Sequence, residues 1–296
     1  MDPTAYFADR RQGDILSIEE PTEPGVAEYV VVSQSCDVVL PSRENVLLAP
    51  LVGIHDQVTL RGALNRENPR YVLVPLDSEQ RFADLNHIAA HPKKAVAGAA
   101  AHPGVDRDDD QAARDFGLAV GRWFGRFAFP DEVQPWLAPL QKQIRDKYAS
   151  PTSALGQVLH RVAEIRVEAD SWTSKSRSLT IHVIVGAAWM PLIVDTDSLA
   201  SAPIPSTTVS PRSLTAIAEE LIRSGADTRI VALWDEMAWA LAASCKPKGR
   251  HAADANVSAA VSVVEAMLWT DEDFPLARYR RSEQLDVDFL SDPVPL

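Results

Sequence analysis

The chain has 296 residues, 46% of them hydrophobic and 24% charged, with a net charge of −12 at pH 7. That balance is ordinary for a globular protein and leaves room for a hydrophobic core in each of two domains. The acidic excess is shared evenly between the two halves, which argues against strong non-specific binding to nucleic acid. No apolar run approaches the ~20 residues that span a bilayer. Met1-Asp2-Pro3 lacks the basic-then-apolar pattern of a signal peptide, so a cytoplasmic location is expected. Cys36 and Cys245 lie far apart in sequence and are expected as free thiols.

In chain order, residues 1–11 read as a lead-in and Gly13–Ile18 as a first strand. After a Pro- and Glu-rich loop comes Tyr29–Asp37, Tyr-Val-Val-Val-Ser-Gln-Ser-Cys-Asp. Four β-formers in a row, ending in a compact polar group, mark a buried strand that delivers polar side chains to one spot. Asn45–Val52 is a third strand, and residues 53–69 a short helix or irregular lobe. Tyr71–Leu76 is a fourth strand and Phe82–Ile88 a short fifth. Several short strands with polar turns in about ninety residues predict a small barrel.

A helix is expected from about Asp110, with Phe116, Val120, Trp123, Phe124 and Phe127 on one face. Gly117, Gly121 and Gly125, spaced by four, suggest close packing against a neighbouring element. Two more helices follow, Asp131–Tyr148 and Ser153–Val162. Then the period changes to two: Ile165 and Val167, and Leu179, Ile181, Val183 and Val185, predict a hairpin. Asp195–Pro211 reads as a surface connection. Ser213 is a candidate N-cap for a helix carrying Leu214, Ile217, Ala218, Leu221 and Ile222, closed by Gly225. A second helix carries Ile230, Leu233, Trp234, Met237 and Leu241, and Val257–Leu268 is expected as a long strand. The fold class is α+β: a barrel over 1–105, a helical connector over 106–162, and a two-layer β-β-α-α-β domain over 163–296. No internal repeat stands out.

Gln12-Gly-Asp-Ile-Leu16, Val30-Val-Val-Ser33 and Val46–Leu51 stand in an order that resembles the MazF/PemK family of toxins. Ala83–Ile88 with Pro92-Lys93 is similar to a late segment of the same family. The resemblance covers about residues 10–100 and implies an SH3-like barrel and a bacterial defence or toxin–antitoxin setting. In that family an Arg before the second strand and a Ser or Thr ending the third cleave single-stranded RNA. Here the Arg-Pro positions hold Ala27 and Glu28, and the Thr position falls near Leu51 or Val52. The resemblance therefore implies a degenerate barrel: a non-catalytic binding or regulatory protein that recognises a partner protein or RNA. The alternative is an endoribonuclease with relocated residues, or an enzyme dependent on Cys36.

The candidate binding cluster is Asp14, Gln34, Ser35, Cys36, Asp37 and His87. Cys36 reads as a nucleophile activated by His55 or His87, as part of a metal site with Asp37 and a His, or as a small buried hydrophobe beside a turn. Asp14 at the head of a strand faces the same end or ties down a turn. Asp106, Asp108 and Asp110 imitate a calcium loop, but Gln111 and Gly117 occupy its Gly and Glu positions, so no metal or other cofactor is expected. Two basic groups, Lys246/Lys248/Arg250 and Arg278/Arg280/Arg281, would grip phosphates if they converged. Residues 284–290 alternate apolar and acidic residues, as an edge strand or docking segment does.

Overall fold

The computed structural model describes residues 1–18, 26–64, 66, 68–75, 79–125, 127–148, 150–190, 212–224 and 229–285. The expected Asp195–Pro211 connection, Gly225 as a helix stop, and residues 286–290 of the tail lie outside them. The chain divides into two units, Met1–Arg126 and Phe127–Ser291, and is mixed α+β.

The first unit carries α1 (Pro3–Phe7), β1 (Asp14–Ser17), β2 (Glu28–Val31), α2 (Ser35–Val39), β3 (Asn45–Val52), α3 (Gln57–Leu64), β4 (Tyr71–Leu73), β5 (Phe82–Asp84), β6 (Ala89–Pro92), α4 (Lys93–Val96), β7 (Ala100–Pro103) and α5 (Asp110–Gly125). Its seven strands form one antiparallel sheet in the order β4-β5-β3-β2-β1-β7, with β6 also pairing β3. Among the described residues the sheet does not close on itself. The reason lies in the side chains, because the central strands are apolar on both faces. Ile15, Val30, Val32, Ala49 and Leu51 point into a core sealed by Phe116 and Val120 of α5. Leu16, Tyr29, Val31, Val46 and Leu48 point into a second core with Tyr6 and Phe7 of α1, Val38 of α2 and Val96 of α4. A strand covered on both sides reads as a continuous apolar run, which is what Tyr29–Val32 is.

Several expectations are corrected. Phe82–Ile88 is strand only to Asp84, whose carboxylate accepts from Asn86 N–H at 3.1 Å and turns the chain into a single 3₁₀ turn over Leu85–His87. Two strands have no β-signal of their own: β6 and β7 are the same tetrapeptide, Ala-Ala-His-Pro. Ala and Pro are poor strand formers. Here Pro92 and Pro103 sit at the strand ends, opposite Asn45 and Asp14. The glycine stripe of α5 is not a packing seam either, since a Cβ at Gly121 or Gly125 would meet nothing within 4 Å. Phe124 is 62% exposed. Gly13 is a glycine the fold does require: its φ is +90°, and a Cβ there would lie 2.6 Å from Val105 Cγ2.

The second unit carries α6 (Gln134–Tyr148), α7 (Ala154–Leu159), β8 (Val162–Ala169), β9 (Arg177–Val185), α8 (Leu214–Arg223), α9 (Arg229–Ala242), α10 (Ala255–Ala260), β10 (Val261–Thr270), α11 (Leu276–Tyr279) and β11 (Ser282–Gln284). The helices expected as a connector are shared between the units: α5 seals a core of the first, while Leu137, Leu140 and Ile144 of α6 join the core of the second. The sheet order is β10-β9-β8-β11. β8 and β9 pair antiparallel, as the alternation predicts, but β10 runs parallel to β9. Parallel neighbours need a crossover, and α8 and α9 supply it. Ser213 caps α8, its Oγ accepting from Ala216 N–H at 3.2 Å. The expected strand from Val257 begins as helix: Asp254 accepts from Asn256 and Val257 N–H, so β10 starts only at Val261.

Ile165, Val167, Leu179, Ile181, Val183 and Val185 share one core with Leu214, Ile217 and Leu221. Leu221 is 1% exposed. Leu221→Ala is expected to cost about 2–5 kcal/mol in a chemical denaturation experiment, the usual range for emptying such a site. A cost below about 0.5 kcal/mol, the scale of a surface substitution, would show that the helix does not pack there.

Candidate functional site

β2 ends in polar residues that face different tasks. Ser33 Oγ accepts from Leu47 N–H at 2.8 Å and locks the strand to β3. Ser35 Oγ accepts from Gln12 N–H at 3.1 Å, and Gln12 Nε2 donates to Val32 O at 2.9 Å. Gln34 caps the short helix α2 without a side-chain hydrogen bond. Cys36 is exposed, so it is not the small buried hydrophobe the sequence allowed. Its Sγ lies 3.8 Å from Gln34 Oε1, and no histidine is recorded against it among the described residues. Asp37 is half-exposed and pairs with Arg43 Nε at 3.1 Å. The structure therefore places Gln34, Ser35, Cys36 and Asp37 on one turn at the start of α2.

Asp14 and His87 stand apart from that turn in their bonding. Asp14 is buried at 2% exposure, accepts from Arg11 N–H at 2.9 Å, and holds Arg107 Nη2 at 2.7–2.8 Å. It ties the start of β1 to the segment after β7. His87 Nδ1 lies 3.0 Å from Asp84 Oδ2, and the same carboxylate is gripped bidentately by Arg70 at 2.6–2.7 Å. Burial opposes the charge on Asp84, but Arg70 and His87 outweigh it and hold its pKa below the ordinary carboxylate value. Glu28, at one of the family's Arg-Pro positions, is ion-paired with Arg81 and accepts from Ser17 Oγ at 3.4 Å, so its negative charge is compensated within the fold.

The two basic groups of the second unit do not join in any recorded contact among the described residues. Lys246, Lys248 and Arg250 lie in the loop between α9 and α10. Arg278 and Arg281 instead converge on Glu168, at 3.0 and 3.2 Å, while Arg280 is exposed. They belong to a polar network on the sheet face opposite the helices, which the sequence reading missed. His182, fully buried, lies 3.0 Å from both Glu168 Oε2 and Trp269 Nε1. Because the indole N–H can only donate, His182 Nδ1 accepts, and Nε2–H donates to Glu168. Arg166 reaches Ser282 Oγ at 2.8 Å and lies 4.1 Å over the Tyr279 ring. The signal available was the charge alternation Glu164-Ile-Arg166-Val-Glu168, with His182 opposite.

No protein-family model, curated protein or solved structure matches this chain. The geometry stands alone. Among the described residues no group of three His, Cys, Asp or Glu is placed to hold a metal ion, and no helix is long and apolar enough to cross a membrane.

Burial pushes the pKa of His182 down, with Glu168 opposing. A depressed histidine is neutral in the folded protein at a pH where the unfolded chain binds a proton. Stability is then full above the ordinary histidine value and falls as pH drops from about 7 towards 5. Six of the seven tryptophans lie in the second unit, so tryptophan fluorescence follows its unfolding. His182→Gln, which keeps a donor for Glu168, is expected to flatten that pH dependence. An unchanged slope would show that His182 is not the group responsible.

Proposed function

We propose that this protein is a non-catalytic binding or regulatory protein whose first unit is a degenerate relative of the MazF/PemK-like SH3-like barrel. It recognises a partner protein or nucleic acid through the turn at Gln34–Asp37. The observation that carries the reading is how the polar side chains of the first unit are used. Ser35, Asp14, Asp84 and Glu28, which would otherwise handle protons or charge, are each held by a hydrogen bond or ion pair that fixes the fold. Gln34 and Cys36 face outward on a turn mounted directly on a fully buried strand. A rigid, mixed polar surface suits recognition, and general acid–base chemistry needs a base within hydrogen-bond reach of its nucleophile.

Support for the family reading is the resemblance in the order of Gln12–Leu16, Val30–Ser33 and Val46–Leu51, together with an antiparallel sheet organised on β3, which pairs β2, β5 and β6. The setting in bacterial defence or a toxin–antitoxin system rests on that resemblance alone. Free thiols at Cys36 and Cys245 fit a reducing, cytoplasmic compartment.

The test is a cleavage assay on labelled single-stranded RNA without divalent metal, run beside melting curves. The wild-type protein, Cys36→Ser and Asp37→Ala are all expected to leave the RNA intact, with similar melting temperatures. Clear cleavage by the wild type that disappears in either variant at unchanged melting temperature would overturn the binding reading and make this turn an endoribonuclease or thiol-dependent site.

A further inference from the structure

A cleft of about 390 Å³ lies where the C-terminal end of α2, the turn after it, α1 and the start of α4 meet. Phe7, Leu40, Pro41 and Pro92 supply apolar wall, and Arg43, Lys93 and Lys94 supply positive charge. Glu44 is the one carboxylate recorded in the lining. In an acidic chain this is a local reversal of sign.

Lys93 is the unusual member. It is only 6% exposed. Its ammonium donates to the carbonyl oxygens of Asp37 at 3.1 Å and Leu40 at 2.9 Å, and lies 5.4 Å from the centre of the Phe7 ring. An ammonium has three donors. The third has no protein acceptor recorded among the described residues, and no carboxylate is ion-paired to the group. Asp37 attracts the ammonium through space, but its carboxylate is in contact with Arg43 instead, and burial still pushes the Lys93 pKa down. Burying a cation with no anion in direct contact is costly, and a ligand anion would supply that contact. Its two carbonyl bonds hold the ammonium fixed in advance, so binding need not order a free lysine.

We propose that this cleft binds a small organic anion: a phosphate or carboxylate head placed among Lys93, Lys94 and Arg43, with a compact apolar body against Leu40 and Pro41. The assignment goes beyond the recognition turn: Asp37 braces Lys93 and Arg43 from the side, but neither Gln34 nor Cys36 lines the cleft, and the variants that test it, at Lys94 and Glu44, lie outside the turn. The two readings can therefore fail separately.

Titration calorimetry on the full chain, with phenyl phosphate and benzoate as probes, tests it. Saturable binding of at least one probe is expected, weakened about tenfold in Lys94→Ala and strengthened in Glu44→Gln. Preference between the probes distinguishes a phosphomonoester from a carboxylic acid as the natural head group. Inorganic phosphate, which lacks the apolar body, is expected to bind more weakly than phenyl phosphate. Three results would overturn the proposal: no saturation by about 10 mM of either probe, affinities that Lys94→Ala and Glu44→Gln leave unchanged, or inorganic phosphate binding as tightly as phenyl phosphate. Both substituted residues lie at the surface, so a melting curve unchanged from wild type is expected to accompany each titration.

Discussion

Tyr29, Val30, Val31 and Val32 send alternate side chains into two separate cores, and the architecture of the first unit follows from that two-sided burial. A strand apolar on both faces cannot lie against solvent on either. It needs paired neighbours along both edges and a covering layer above and below. β1 and β3 supply the edges. α5 covers one face, and α1, α2 and α4 cover the other. The short helices around this sheet are thus structural lids, and α2 in particular is held down by Val38 at 1% exposure. The turn at Gln34–Asp37 and the cationic cleft both use α2, so both are mounted on the same buried strand.

Electrostatics fixes what packing leaves open. Asp14 with Arg107, Asp84 with Arg70, and Glu168 with Arg278 and Arg281 each place a carboxylate in a largely buried position with a matched cation. Such pairs contribute little net stability compared with apolar replacements, but losing one partner leaves an uncompensated charge. They therefore act as registration pins. Each joins segments distant in sequence: the start of β1 to the segment after β7, the approach to β4 to the end of β5, and β8 to the chain beyond β10.

Where the pattern was strong, the sequence was readable. The apolar run of β2, the alternation of β8 and β9, and the helical stripe of α9 all correspond to observed elements. Weakness came where long-range context decided. Ala-Ala-His-Pro has no strand signal, yet forms β6 and β7 because β3 and β1 offer unpaired edges. Val257 has the β-propensity of a strand residue but lies in helix, because a capping aspartate three positions earlier outweighs it. At the candidate site, the grouping of Gln34 to Asp37 was legible because four consecutive residues must stay together. The pairing of Glu28 with Arg81, and the burial of Lys93 beneath α2, depend on contacts across many residues that no local pattern encodes.

The sheet of the second unit is also a statement about order of assembly. β11 pairs with β8, placing Ser282 opposite Glu168, and β10 joins β9 only after α8 and α9 have crossed over. The β9 edge of the hairpin thus stays open until β10 has been synthesised, and the β8 edge until Ser282–Gln284 has. Among the described residues, the strands of the first unit end by Pro103 and its sealing helix by Gly125. On a ribosome, it can therefore mature while the second is still an exposed hairpin with two unsatisfied edges. That interval is when the chain is most open to association with other strands. It ends when a three-residue strand, Ser282–Gln284, docks.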